Sequence, residues 1–424
     1  MGITRRDFIK AAAAGTVLTG IGLPGIAFGA KKTVKIGFLA PLTGEVAGWG
    51  LPGLYGCEIW AEWVNAAGGI KIGGDNYMVE FVSFDNEYQP DKALQGAKKL
   101  VAEEDVKFVM MLGGSTWPGV QKFFSRNKML TSTLLPSDLN PNSPYHLAPC
   151  EVHPIYNVTG VEWLAENFPK MKKAVICAQD DELGIPSVAT YRAGFEVAGI
   201  EVVGENIFDI ATTDFAPIVT SLLAQNPDIV CFDTSYPDYV NLICAQLFQQ
   251  GYKGKMISCT LDNYPAILEK TSKDFLEGFI YQFPDFDDPA LDAPNICFKN
   301  PHKFFDEFNK KHPASWTAVS YEYASIMDLW VAGAQKAGSV DPMAVYKAMK
   351  SMQTLPHIFG PAEWWGKELW GIDNALVGNW PVVTIQNGRG RIVEYKNIPK
   401  WWAKHKDVYI KHMEKLNQMW YQQK

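Results

Sequence analysis

The sequence predicts an α/β protein built from two doubly wound parallel sheets with helices on both faces. Apolar, β-branched runs alternate with helical patterns from residue 34 to residue 132, and the same alternation restarts near residue 157 and continues to residue 258. Several runs, such as residues 106–112 and 228–233, are apolar almost without interruption. Uninterrupted apolar runs are typical of parallel strands that are covered on both faces by helices.

The composition is that of a globular protein with a large core. Hydrophobic residues make up 47% and charged residues 20% of the 424 positions. The net charge of −7, with no basic run, argues against a nucleic-acid partner. The seven cysteines are scattered without a C-x-x-C pair, so we interpret them as small buried hydrophobic residues. The seven histidines show no metal-site spacing, and no cofactor is predicted.

The predicted elements follow the chain in order. In the first half, strands are predicted at residues 34–39, 78–84, 106–112 and 129–132, with helices at 52–67, 90–102 and from 115 onwards. In the second half, helices are predicted at 157–168, 188–198, 215–225 and 237–250, with strands at 173–178, 201–208, 228–233 and 255–258. A late block has helices at 301–311, 318–337 and 342–352, then a hairpin of strands 381–386 and 391–394 turning at Asn387-Gly388.

The N-terminal segment has the pattern of a twin-arginine export signal. Arg5-Arg6 precede Phe8 and Lys10, and a weakly apolar stretch interrupted by five glycines and Pro24 follows. Small residues at Ala27 and Gly29 fit a cleavage site, so we expect residues 1–29 to be removed. No later apolar run reaches the ~18 residues that a membrane span needs. The sequence therefore predicts an exported, soluble, periplasmic protein that uses the twin-arginine machinery.

Two predicted strands end in hydroxyl-bearing segments that open a helix. The first leads to Ser115-x-x-Pro118 and the second to Ser235-Tyr236-Pro237. Backbone N–H groups at a helix N-terminus favour an anion, and ligands of open α/β sheets bind at the carboxyl ends of strands. These loops are therefore the first candidates for a binding site.

At this point, several motifs resemble one family. The segments at 38–44, 49–50, 65–70 and 212–219, with the strand end at Ser235-Tyr236-Pro237, are similar in order and spacing to leucine/isoleucine/valine-type periplasmic solute-binding proteins. The resemblance implies a type I (Venus flytrap) fold with two lobes, joined by three crossovers. It places lobe 1 at residues 30–152 and 286–358, lobe 2 at 153–285 and 359–396, and a helical extension at 397–424. It also implies an ABC importer, through its permease subunits, as partner.

The resemblance further implies a set of ligand-binding residues in the first lobe. Gly114, Ser115 and Thr116 match the loop that receives a ligand carboxylate, although a plain helix N-cap would look similar. Leu134 and Ser137 fall in the next polar loop, where Pro136 has no N–H to donate.

The remaining positions that the resemblance marks lie at the cleft mouth and in the second lobe. Trp49 matches an aromatic at the mouth, Tyr236 a tyrosine that faces the ligand, and Leu183 a second-lobe wall position. The acidic position that pairs with an amino acid's ammonium falls at Thr260, with Asp262 two residues on. An aliphatic amino acid and an aromatic or other organic acid therefore both stay open as ligands.

Other functions fit the sequence less well. It contains no G-x-S-x-G elbow, no phosphate-binding P-loop, no strand-anchored G-x-G-x-x-G and no H-E-x-x-H, so no enzyme activity is predicted. A soluble ligand sensor of the same fold is the alternative from another class. The primary prediction is a binding protein for an amino acid or small carboxylate.

The last residues carry an apolar stripe at helical spacing. The stripe is formed by Trp402, Tyr409, Met413, Leu416 and Trp420, with lysines elsewhere around the helix. Packing on a lobe is the leading interpretation, and self-association or contact with a membrane surface are the alternatives.

Overall fold

The computed structural model describes residues 32–422, except 234–236, 262–263 and 354. The predicted signal segment at residues 1–29 and the candidate ligand residues Tyr236 and Asp262 lie outside the described residues. In the described part of the chain, no helix is long and apolar enough to cross a lipid bilayer. Nor do the described side chains form a group of three or more His, Cys, Asp or Glu that could hold a metal ion.

The first lobe is built on a six-stranded sheet with the order β2-β3-β1-β4-β5-β6. Its strands are β1 (Lys32–Ala40), β2 (Ile70–Ile72), β3 (Asp75–Asp85), β4 (Val109–Met111), β5 (Thr131–Ser132) and β6 (His146–Leu147). All neighbouring strands are parallel except β2 and β3, which form a tight antiparallel hairpin. The sheet is therefore parallel at its centre, as predicted.

Helices cover both faces of this sheet. Along β1, Phe38 belongs to the core under α1 (Leu51–Ala66) and α11 (Val319–Ala337), whereas Leu39 faces α2 (Pro90–Lys98) and α3 (Trp117–Asn127). This alternation follows from the two-residue repeat of a strand. Helices α10 (Pro301–Lys311) and α11 pack with α1, and α12 (Pro342–Lys350) packs on α11, so the late helical block returns to the first lobe.

The second lobe is built on an eight-stranded sheet with the order β12-β13-β11-β10-β9-β7-β8, and β14 pairs with β13. Its strands are β7 (Lys173–Gln179), β8 (Glu201–Phe208), β9 (Ile229–Asp233), β10 (Lys255–Ile257), β11 (Ile280–Tyr281), β12 (Ala362–Trp365), β13 (Ala375–Gln386) and β14 (Arg389–Asn397). The strands β7–β11 are parallel, and β12–β14 add an antiparallel edge. The predicted hairpin at Asn387-Gly388 is confirmed, and its two positive φ angles suit a tight turn.

Helices again flank this sheet. On one face lie α4 (Asn157–Asn167) and α5 (Gly184–Ala198), and on the other α6 (Ala216–Leu223), α7 (Pro237–Gln249) and α8 (Tyr264–Lys270). Short helices α9 (Lys273–Leu276) and α13 (Lys367–Trp370) complete the order. The helices and strands predicted from periodicity are all present in both lobes. The short strands β2, β6, β11 and β12 were missed because two to four residues carry too little pattern.

The two lobes meet through backbone pairing as well as side chains. The N–H of Ala148, just after β6, donates to the Asn374 carbonyl at 2.9 Å, and the N–H of Leu376 donates back to the Ala148 carbonyl at 2.9 Å. The Asn374 amide also donates to the carbonyl oxygens of Pro144 and His146. The start of β13 is therefore held against the edge of the first sheet.

The C-terminal helix α14 (Ile398–Lys415) packs on α5 of the second lobe. Trp402, Tyr409 and Met413 from the predicted stripe are buried, which confirms packing on a lobe. The helix ends at Lys415, so Trp420 lies beyond it rather than on a continuous stripe. Asn417 has a φ of 56°, and this left-handed residue turns the chain out of the helix.

One buried hydrogen bond fixes α14 on α5, and its removal is a test of this packing. The Thr190 hydroxyl donates its only proton to the Pro186 carbonyl at 2.9 Å, so the Tyr409 hydroxyl donates to Thr190 at 2.8 Å. We expect Tyr409→Phe to lower the free energy of unfolding by about 1 kcal/mol, as measured by urea denaturation. Tyr421→Phe is the matched control, because its hydroxyl bonds Glu414 at the surface and should matter little. Equal effects of the two variants would contradict the packing.

Candidate ligand-binding site

The loop after β4 depends on two glycines. Gly113 and Gly114 have φ angles of 97° and 61°, in the region that favours glycine. A Cβ on Gly113 would lie 2.0 Å from Oδ2 of Asp138, and one on Gly114 would lie 2.3 Å from the Tyr88 hydroxyl. The missing side chains let this loop approach the acidic group and the phenol closely. The loop then enters α3 through a short turn that contains Ser115.

Asp138 holds this loop from inside the first lobe. It ends a short turn after β5 and is buried. Its carboxyl oxygens accept the Gly114 N–H at 3.1 and 3.2 Å and the Thr133 hydroxyl at 2.9 Å. Burial raises the pKa of Asp138 well above its usual range, and the nearby charge of Glu182 raises it further. The Gly114 N–H is thus already bonded within the protein.

His146 completes this buried group without forming an ion pair. Its ring stacks on Trp117 with centroids 3.5 Å apart, and its Nδ1 lies 2.7 Å from the Thr131 hydroxyl. Nε2 is 3.8 Å from Oδ2 of Asp138, beyond hydrogen-bond distance. Burial lowers the pKa of His146 to about 3, so the imidazole is neutral near pH 7. The neutral His146 ring therefore packs beside Asp138 without forming an ion pair with it.

Tyr88 reaches the same loop from the segment between β3 and α2. Glu87 and Tyr88 have φ angles of 46° and 58°, which are unusual for residues with side chains. Asp85 and Asn86 hold this backbone by accepting the N–H groups of Glu87 and Tyr88, each at 2.9 Å. The Tyr88 hydroxyl lies 3.4 Å from the Ser115 N–H. Non-glycine residues in such conformations cluster at functional sites.

The second lobe contacts this loop through one carboxylate. Oε1 of Glu182 accepts a hydrogen bond from the Tyr88 hydroxyl at 3.1 Å and a short one from the Ser115 hydroxyl. Glu182 sits just before α5, where Asp181 accepts the N–H groups of Leu183 and Gly184 at 3.0 and 2.8 Å. That capping fixes the turn and directs Glu182 towards the first lobe.

A cavity of about 900 Å³ lies beside this contact. Both lobes and the C-terminal segment line it, through Gly114, Ser115, Trp117, Pro118, Gln121, Ser137, Asp138, Asn140, Pro141, Asn142, Glu182, Gln418, Trp420 and Tyr421. None of these lining residues is lysine, arginine or histidine. The wall combines aromatic faces, side-chain amides, hydroxyl groups and the carboxyl groups of Asp138 and Glu182. The aromatic faces suit a small ligand with a flat apolar body.

The predicted site residues are only partly brought together. Gly114, Ser115 and Ser137 line the cavity. Thr116 and Leu134 are fully buried, and Thr116 supports the loop from below by donating to the Gly113 carbonyl at 2.9 Å.

Three other predicted residues that the structure describes do not line this cavity. Leu183 and Thr260 are 6% and 5% exposed, and Trp49 is half-buried against the first-lobe core. Their roles, and those of Tyr236 and Asp262, stay predictions.

Among the groups that sequence reasoning missed are Asp138, Glu182 and the pair Trp420-Tyr421, which line the cavity, and Tyr88, which bonds Glu182 beside it. Two carried a usable signal. Tyr88 and Glu182 both follow the carboxyl end of a predicted strand, where ligand contacts are expected. The pair Trp420-Tyr421 carried no such signal in the sequence, because its position depends on where α14 ends.

Comparison with known proteins gives a consistent result. The model of a family described as periplasmic binding protein matches residues 33–390. An amino acid binding protein of Pseudomonas aeruginosa is 24% identical over 371 residues, covering 84% of this chain and 92% of that protein. The Leu/Ile/Val-binding protein homolog 3 of Brucella melitensis is 26% identical over 244 residues, and the match spans 55% of this chain and 62% of that relative.

A solved structure shares the fold. It is the solute-binding protein of an ABC transporter from R. palustris in complex with 4-hydroxybenzoate. It superposes with a TM-score of 0.68 at 21% identity, and the alignment covers 86% of this chain and 96% of that one.

The neutral His146 makes the stability of this protein sensitive to acid. Its pKa is about 3 in the folded state and about 6.5 when unfolded, so the unfolded chain binds more protons between these values. The contribution of His146 to stability is complete above about pH 6.5 and falls as the pH is lowered, by about 2 kcal/mol at pH 5. We expect His146→Gln to flatten this dependence in urea titrations. His357, whose pKa burial lowers to about 4, is common to both proteins and cancels. Parallel pH profiles of the wild-type protein and His146→Gln would refute the assignment of this acid sensitivity to His146.

Gly114 offers a separate test of the loop. We expect Gly114→Ala to lower the free energy of unfolding by more than 1 kcal/mol, because the new methyl meets Tyr88 in a left-handed conformation. Gly199→Ala is the matched control: its φ is 65°, but open space surrounds the added Cβ. The difference between the two variants in urea denaturation isolates the close approach of Tyr88. Equal losses of stability in the two variants would show that Tyr88 can move away from the added methyl group without cost.

Proposed function

The chain belongs to the periplasmic binding protein family, and from this we propose that it captures a small solute between its lobes for an ABC importer. The family consists of solute-binding proteins rather than enzymes. The proposed solute is an amino acid or a small carboxylate, including aromatic acids. Relatives named for amino acids and a fold neighbour bound to 4-hydroxybenzoate support both classes.

The observation that carries the proposal is a cavity that both lobes line. Gly114, Ser115 and Ser137 come from the first lobe and Glu182 from the second. A solute that touches both walls gains contacts only when the lobes are closed, so its binding shifts the population towards the closed form. No covalent step is needed for this function, and the solute is released unchanged.

The aromatic wall favours a flat apolar body on the solute. Trp117 comes from the first lobe, and Trp420 and Tyr421 come from the C-terminal segment. Aromatic side chains bind flat rings by stacking and edge contacts. Among the proposed solutes, we therefore place aromatic carboxylates beside aliphatic amino acids.

The location proposed for the protein is the periplasm. The twin-arginine pattern around Arg5-Arg6 supports export by that machinery and removal of residues 1–29. In the mature chain, the proposed lobes are residues 30–152 with 286–358 and residues 153–285 with 359–396, followed by the extension at 397–424. The two sheets support this division, because residues 32–147 form one and residues 173–397 the other.

A ligand screen tests the function. The mature protein should show a raised melting temperature with at least one amino acid or aromatic carboxylate, because a ligand of the native state stabilises by mass action. Calorimetry should give a one-to-one complex, and chromatography should recover the solute unchanged. Ser137→Ala should weaken the best solute about tenfold by removing one hydrogen-bonding hydroxyl group from the first-lobe wall.

The matched control for this screen is Ser221→Ala, at an exposed position of α6 in the second lobe. It should leave the affinity unchanged. Absence of any binding across both solute classes would contradict the proposed function, and chemical conversion of a bound solute would replace it with an enzymatic one.

A further inference from the structure

Two first-lobe hydroxyl groups at and beside the cavity donate to a carboxylate of the second lobe. The hydroxyl groups of Tyr88 and Ser115 converge on the same oxygen, Oε1 of Glu182. They come from separate loops, one after β3 and one after β4. Convergent hydroxyl donors, one of them beside a helix N-terminus, form a subsite for a carboxylate. In this structure the second lobe supplies that carboxylate itself.

One backbone donor of the loop is also occupied. The Gly114 N–H is bonded to Asp138, which is buried. The described lining of the cavity includes no basic side chain that could neutralise a second negative charge. Two carboxylates at one pair of hydroxyls would repel each other at close range. A solute carboxylate and Glu182 therefore exclude each other from this subsite.

Resting on the function proposed above, we propose that Glu182 is a tethered competitor for the carboxylate subsite formed by Tyr88 and Ser115. It bridges the lobes when no solute is present, and a solute carboxylate displaces it and takes over both hydroxyl donors. Glu182 is therefore a specificity-determining residue. Solutes bind only if their contacts with both lobes exceed those of the internal carboxylate.

The effect of this competition on solute affinity can be predicted. A group tethered to a folded lobe competes at an effective concentration in the millimolar range or above, set by how often it reaches the subsite. Removing it should therefore tighten the binding of carboxylate solutes by about tenfold. The bridge between the lobes is lost at the same time, so the ligand-free protein should populate more open forms.

The test compares the mature wild-type protein with Glu182→Ala and Asp180→Ala. Asp180 is exposed, lies two residues away and carries the same charge, and it is the matched control. In small-angle X-ray scattering, ligand-free Glu182→Ala should have a larger radius of gyration than the other two proteins. Calorimetry with benzoate, 4-hydroxybenzoate and leucine as probes should show about tenfold tighter binding to Glu182→Ala.

Opposite outcomes overturn the proposal. Weaker binding by Glu182→Ala would mean that Glu182 contacts the solute directly, for example by pairing with an ammonium group of the solute. Identical scattering of all three ligand-free proteins would mean that Glu182 does not bridge the lobes. The scattering needs no ligand, so it decides the bridge even if none of the probes binds. A lack of binding by every protein would count against the proposed function instead.

Discussion

The cavity wall depends on the hydrogen bonds that the buried carboxyl group of Asp138 accepts. This group bonds the Gly114 N–H and the Thr133 hydroxyl, and thereby joins the loop after β4 to the segment after β5. With Gly113 and Gly114 in left-handed conformations, this bonding presents Ser115 at the start of α3. Burying a polar group without partners would be costly, so the hydrogen bonds and the loop geometry require each other.

The same arrangement decides which groups remain for a ligand. Asp138 uses the Gly114 N–H, and the Ser115 hydroxyl is the donor of this loop that reaches the second lobe. Tyr88 adds a second hydroxyl, held by a backbone with unusual φ angles. The lobes then close on Glu182, a residue placed by the capped turn before α5. With the segment after α14, which also lines the cavity, the binding surface is assembled from five separate stretches of chain.

Much of the fold could be predicted from sequence periodicity. The runs at residues 173–178 and 228–233 were read as buried parallel strands, and the structure has β7 and β9 there. Side chains on β7 alternate between two cores, with Val175 in one and Ile176 in the other. The predicted Asn387-Gly388 hairpin also formed, since the positive φ of both residues is a local property. Short edge strands such as β12 could not be predicted, because their pairing with β13 is made only by the tertiary fold.

The amino-acid sequence by itself determined the α/β class, the order of the long elements and the Gly113-Gly114-Ser115 loop. These follow from local periodicity and backbone preferences, which each segment carries independently. Only the tertiary structure decided that Asp138 occupies the Gly114 N–H, that Glu182 crosses to Ser115 and Tyr88, and that the segment after α14 lines the cavity. Such contacts join residues far apart in the chain, and their geometry is set by how the helices and sheets pack.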